Sequence, residues 1–222
     1  MLKNLTLFLL CSWAFAAFTF AQSTGKKPDQ TTPKTPKKTN ARPVKSPPSK
    51  EPFENASVKM MEGQCVKLET EKGIIELELF PEFAPESVRN FLNLVSIGAF
   101  DTTTFSRVVP GFIVQGGNVG TRQQTKPELL SRSRRTIPDE PSLIKHERGI
   151  LSMARPDEPN SASSHFFIVI GNASHLDGTF AAFGRVTKGM ETVDVINKMP
   201  VEGDKPTKPV RLARATVAPC PK

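Results

Sequence analysis

Apolar residues alternate with polar ones at Val66, Leu68, Ile75, Leu77 and Leu79, on either side of Glu71-Lys72-Gly73. A period of two with a turn in its middle predicts a β-hairpin with one buried face, and Glu76 and Glu78 then take the wet side. Beyond Pro85 the period changes. Val88, Phe91, Leu92 and Val95 fall at i, i+3, i+4 and i+7, closed by Gly98, which is the spacing of an amphipathic helix. Short apolar runs follow at 105–109, 112–115, 150–154, 166–170 and 181–186. A second helix is predicted over 190–199, burying Val193 and Ile196 before Pro200, and a last strand over 210–217. Many short strands, Gly and Pro turns and two helices predict a mainly β domain, a barrel or sandwich with helical plugs. No segment repeats.

The pattern is missing before residue 56. Lys3 precedes a run over 5–20 without charge, and the small residues Ala16, Ala17, Thr19 and Ala21 follow its centre. This reads as a secretory signal peptide over 1–21, cut after Ala21. An uncleaved membrane anchor is the alternative, although a spanning helix takes about 20 apolar residues and this run is shorter. The bulky Leu10 before Cys11 speaks against a lipid anchor. The protein is thus expected to be exported, to a periplasm or to the outside. Residues 22–55 are dominated by Lys, Pro, Thr and Ser, with seven prolines. They offer almost nothing to bury and read as an extended, disordered linker. The folded domain is then 56–222.

Charge follows the same division. The whole chain carries +8, of which eight basic and three acidic residues place +5 in the linker, and Lys3 adds +1 in the leader. That leaves +2 for the domain, too little to support nucleic-acid binding. Membrane contact is expected only through the basic tail or an uncleaved leader, and the domain is expected to act as a monomer. Export leaves Cys65 and Cys220. An oxidising compartment permits them to pair, and two separate thiols are the equal alternative, because sequence does not place them within bridging distance.

The common catalytic patterns are missing. There is no Gly-x-Ser-x-Gly elbow. His146, His165 and His175 lack a metal-binding spacing, and no metal or cofactor is expected. Gly116-Gly117-Asn118-Val119-Gly120 reads as a tight turn after a strand. The long stretch 120–145, with Arg132, Arg134 and Arg135, reads as a solvated loop. One segment is unusual: Phe105-Ser106-Arg107-Val108-Val109-Pro110-Gly111-Phe112-Ile113-Val114-Gln115-Gly116-Gly117 is strongly apolar yet holds one Arg and one Gln. On a regular strand Phe105, Arg107 and Val109 share a face.

This segment resembles the signature of the cyclophilins, Phe-x-Arg-Val followed by Phe-x-x-Gln-Gly-Gly. The resemblance continues in order through 149–154, 163–168, His175-Leu176-Asp177-Gly178 and Phe183-Gly184-Arg185-Val186, and covers about 66–217. It implies a closed eight-stranded antiparallel β-barrel capped by two α-helices, with an active groove on its outside. It further implies a peptidyl-prolyl cis/trans isomerase acting on proline-containing unfolded or partly folded polypeptides, here exported ones. The alternative is a proline-binding chaperone or interaction module without turnover. By matching position Arg107 is the catalytic residue, Gln115 orients the substrate backbone, and Phe112, Ile113, Phe167 and Leu176 line the proline pocket, with Ala154 along the groove. At five groove positions the chain departs from the best-known members: Ile113 stands for Met, Arg155 for Asn, His165 for Gln, His175 for Trp and Phe180 for His. All five are expected to face substrate.

Overall fold

The computed structural model describes residues 51–221. The leader and all but the last five residues of the expected linker lie outside the described residues. The strands are β1 (Gln64–Thr70), β2 (Gly73–Leu79), β3 (Thr103–Thr104), β4 (Arg107–Val109), β5 (Ile113–Gly116), β6 (Ile150–Met153), β7 (Phe166–Val169), β8 (Ala182–Lys188), β9 (Val201–Glu202), β10 (Lys205–Pro206) and β11 (Arg211–Pro219). The helices are α1 (Val58–Met61), α2 (Pro85–Ser96), α3 (Pro127–Ser133) and α4 (Met190–Asn197).

Nine strands form one curled antiparallel sheet in the order β3-β11-β1-β2-β8-β6-β7-β5-β4, and β9 and β10 form a separate hairpin. This corrects the expected closed barrel of eight strands: the sheet has nine, and its ladder ends at β3 and β4. The reason is local. The run 105–109, read as one strand, is interrupted at Phe105 and Ser106, where the chain changes partner. Phe105 N–H donates to Val210 O, beside β11, whereas Ser106 N–H donates to Gln115 O on β5. The side-chain phase slips there as well. Phe105 and Val108 are both fully buried in the main core, while Arg107 turns outward. Phe105 and Arg107 therefore do not share a face. The two expected helices are α2 and α4, and the short α1 and α3 are additional.

The main core lies on the concave face of the sheet. Val88, Phe91, Leu92 and Val95 of α2 are all at most 2% exposed, each worth about 1.5–3 kcal/mol against leaving it in water. The ring of Phe91 meets Phe100, Phe166 and Phe183 at centroid separations of 5.1–5.5 Å, so one aromatic cluster ties helix to sheet. A second, smaller apolar cluster occupies the opposite face of the sheet, around Ile113, Phe167, Val169 and Ala173. Strand β7 is buried at all four positions because both its faces are covered.

The segment read as a solvated loop is tied down. Arg132 on α3 is 12% exposed; it donates to the Glu51 carboxylate and, at 2.9 Å, to Asn90 Oδ1. Phe53 N–H donates to Asn93 Oδ1 at 2.7 Å, so residues 51–55 pack on α2. Cys65 and Cys220 form a disulfide between the start of β1 and the end of β11, 155 residues apart. Helix α2 has no capping side chain of its own at Ala84. Glu140 caps it from a distance, accepting from Glu86 N–H at 2.9 Å, Ser87 N–H at 2.7 Å and Ser87 Oγ–H at 2.8 Å. A carboxylate there meets both the free amides and the positive end of the helix. Glu140→Ala is expected to lower stability by about 1–2 kcal/mol in denaturant unfolding, and Glu140→Gln by less. Equal stability of Glu140→Ala and the parent protein would refute the cap.

Candidate active site

The outer apolar cluster is built by alternation. Along β5 and β7, Val114, Phe166 and Ile168 point into the main core, and Ile113, Phe167 and Val169 point out. Phe112, Leu176, Phe180, Val109 and Ala154 pack around them. Together Phe112, Ile113, Phe167, Leu176 and Phe180 wall a hollow of about 130 Å³, with Arg107, Gln115, Ala154 and Arg155 at its edge. Nine of the eleven residues expected at the site thus line one hollow. His165 lines a wider hollow of about 460 Å³ next to it, with Ser161, Ser163 and Pro156, and Arg107, Gln115, Ala154 and Arg155 border both. His175 is exposed and lies in neither: its ring covers the outer side of Phe112, with centroids 5.2 Å apart.

Register explains the juxtaposition. Arg107 on β4 pairs with Gln115 on β5, Gln115 with Phe167 on β7, and Phe167 with Ser152 on β6. Directly opposed residues share a face and stand about 4.5–5.5 Å apart at Cβ, so cation, amide and aromatic form one row across the sheet. The Nη1 of Arg107 lies 3.5 Å from Gln115 Oε1, and Gln115 Nε2 lies 3.4 Å from His165 Nδ1. Both are at the limit of a hydrogen bond. Arg155 is mostly buried and already engaged. It lies 3.3 Å from Asp139 Oδ1, donates to Pro156 O at 2.9 Å, and sits 5.1 Å from the centre of the Phe180 ring. It therefore stiffens the wall that Phe180 provides.

Three supporting elements escaped the sequence reading. Asp204, at the tip of the β9–β10 hairpin, accepts from Nε and Nη2 of Arg107 at 2.9 and 2.8 Å. Asn197, buried at the end of α4, donates to Val109 O and Ile113 O and accepts from Gly111 N–H at 2.8 Å. It thereby clamps the Pro110-Gly111 turn that presents Phe112 and Ile113. His146, 1% exposed, stacks beside Phe167. Its Nδ1 lies 3.2 Å from Asp177 Oδ1 and its Nε2 3.0 Å from Ser152 Oγ. In the sequence each looks like an ordinary polar position: Asp204 stands between Gly203 and Lys205, His146 between Lys145 and Glu147, and Asn197 before Lys198, which says nothing of the partner.

Residues 65–217 match the family model described as cyclophilin type peptidyl-prolyl cis-trans isomerase/CLD. The peptidyl-prolyl cis-trans isomerase CYP23 of Arabidopsis thaliana is 41% identical over 137 residues, 61% of this chain and 61% of its own length, so the match spans less than two thirds of that relative. Peptidyl-prolyl cis-trans isomerase A of the bacterium Dickeya dadantii is 36% identical over 165 residues, covering 68% of this chain and 83% of its own. A crystal structure of a Cryptosporidium parvum cyclophilin-type isomerase superposes with a TM-score of 0.63 at 29% identity, covering 71% of this chain and 99% of that one. The chain belongs to the cyclophilin-type peptidyl-prolyl cis-trans isomerases.

Burial holds the imidazoles of His146 and His165 below their ordinary value of 6.5; for His146 the Asp177 carboxylate offsets part of this. The unfolded chain takes up these protons near pH 6.5, whereas the folded chain does not until lower pH. Protons then favour the unfolded state, so stability is greatest above pH 6.5 and falls as the solution is acidified. His165→Gln should flatten the fall in melting temperature between pH 7.5 and 5.5. An unchanged slope would exclude His165 as its source.

Proposed function

We propose that this isomerase acts on X–Pro bonds of exported polypeptides, with the prolyl ring in the hollow of Phe112, Ile113, Phe167, Leu176 and Phe180 and with Arg107 as the catalytic residue. The observation that carries this reading is a permanently charged guanidinium at the edge of an aromatic and aliphatic hollow sized for a small ring. An amide C–N bond has partial double-bond character and a rotation barrier of about 18–20 kcal/mol. No covalent bond is broken in the reaction. Twisting localises the lone pair on the prolyl nitrogen, and a donor placed there stabilises the twisted state over both planar ones. Arg107 supplies such a donor, Gln115 beside it holds the backbone of the substrate, and the hollow fixes the ring while the acyl side turns. Catalysis is then electrostatic preorganisation by a planar, charged guanidinium. His165, in the wider hollow, and His175, against Phe112, face residues on either side of the proline.

Two features support the export reading. One is the leader pattern of Lys3, the uncharged run 5–20 and Ala21. The other is the Cys65–Cys220 disulfide, a bond that persists mainly in oxidising compartments. Residues 22–50 serve in this reading as a spacer between the leader and the domain, since 51–55 pack on α2.

On an Ala-Pro peptide, the parent protein should accelerate isomerisation, and Arg107→Ala should lower kcat/KM by about 100-fold or more. Arg107→Lys keeps the charge without the planar fork and should recover little. Full activity in Arg107→Ala would remove the mechanism, and no activity in the folded parent would leave a proline-binding module. Protein recovered from its native cells should begin at Gln22 and carry no thiol reactive toward alkylation under denaturing conditions. A retained Met1 together with two free thiols on Cys65 and Cys220 would sink the export reading.

A further inference from the structure

An arginine on a strand edge is a poor preorganised donor by itself. Its side chain carries about 2 kcal/mol of rotamer entropy, and Arg107 is 44% exposed. Its neighbour across the strand pair does not hold it, because the Gln115 contact is 3.5 Å long. We infer that Asp204 is a positioning residue for catalysis, fixing the guanidinium of Arg107 by its Nε–Nη2 edge so that Nη1 is the group presented to the substrate. This rests on the reading of Arg107 as the catalytic residue.

The arrangement is specific. Nε and Nη2 converge on the single oxygen Oδ2 of Asp204, which sets the plane of the guanidinium and leaves Nη1 on the side of Gln115. The residue that carries the carboxylate is itself anchored through its backbone. Asp204 O accepts from Val108 N–H at 2.8 Å, one residue beyond Arg107. The hairpin that carries Asp204 is a two-residue Gly203-Asp204 turn between the paired residues Glu202 and Lys205, and Gly203 takes φ +61°, as the first residue of such a tight turn commonly requires. The base of the hairpin is closed by Thr207 N–H on Pro200 O at 2.9 Å, and Pro206 is buried. A rigid hairpin thus delivers one carboxylate to one guanidinium, 97 residues away in sequence. The pair is about half-exposed on both sides, so it adds little to stability. Its effect is felt in the orientation of the donor, where a small misplacement is costly.

The experiment compares the parent protein with Asp204→Ala, Asp204→Asn and Arg107→Ala, and with the double variant Arg107→Ala/Asp204→Ala, in the same peptide isomerisation assay. Asp204→Ala is expected to lower kcat about 3- to 10-fold with KM little changed. Asp204→Asn, which keeps an acceptor oxygen without the charge, should fall between. The melting temperature should stay near that of the parent. In the Arg107→Ala background the Asp204 substitution should change nothing further, since it acts through the missing group. In an independent measurement, the ¹H–¹⁵N signal of the Arg107 Nε–H should exchange slowly with water in the parent protein and rapidly in Asp204→Ala. Unchanged or faster catalysis in Asp204→Ala, an equal loss with Arg107 already removed, or an Nε–H signal indifferent to the substitution would each overturn the inference. Full activity in Arg107→Ala alone would instead refute the role given to Arg107, a separate outcome.

Discussion

The slip of one residue at Phe105–Ser106 decides on which face of the sheet Arg107 stands. A regular strand would send Phe105 and Arg107 to the same side of the sheet. Either a guanidinium would then be buried unpaired, at a cost of several kcal/mol, or a phenylalanine would be left in water, losing about 1.5–3 kcal/mol of burial. The chain avoids both by changing partner between the two residues, from the region of β11 to β5. Phe105 enters the main core and Arg107 emerges on the convex face. The glycine opposite makes room for this: a Cβ on Gly116 would stand 3.0 Å from Phe166 Cζ and 3.3 Å from Phe105 Cδ1. The next residue, Gly117, has φ +86° and runs so close to Ser164 O that a side chain would collide with it at 2.1 Å. The Gly116-Gly117 pair is therefore a packing requirement.

From that point the site is a consequence of two-sided burial. Strands β5 and β7 send alternate residues to opposite clusters, so Ile113 and Phe167 in the wall of the hollow are each backed by a core residue one position away. Such a wall moves little, because displacing Phe167 would disturb Phe166 and Ile168 and the packing around Phe91. Interiors at close-packed density transmit strain rather than absorb it. A binding site made on a sheet in this way is stiff without any ligand.

What the sheet does not hold is held by single polar side chains from distant segments. Asn197 pins the turn before Phe112, His146 backs Phe167, Asp204 orients Arg107, and Glu140 closes the free end of α2. Each satisfies groups that would otherwise lose their hydrogen bonds on burial or wander in solvent. The five departures from the best-known members, at 113, 155, 165, 175 and 180, fit within this scaffold. Arg155 and Phe180 stack on one another, and His175 covers Phe112; these changes alter the edge of the hollow without removing Arg107 or Gln115.

The sequence by itself determined whatever repeats at short range. Alternation located the hairpin β1–β2 to within two residues, the 3–4 spacing of Val88 to Val95 located α2, and the apolar run 166–170 marked a strand. Its ordered motifs also named nine residues that share one hollow. Only the tertiary structure decided the phase at Phe105–Ser106, the ends of the sheet at β3 and β4, the pairing of Cys65 with Cys220 and the fixing of Arg107 by Asp204. The reason is physical. A periodicity is written in neighbours, whereas these contacts join groups 97 or 155 residues apart, or turn on which strand a backbone amide meets. A lone aspartate in a Gly-Asp turn looks the same in sequence whether it faces water or holds a guanidinium in place.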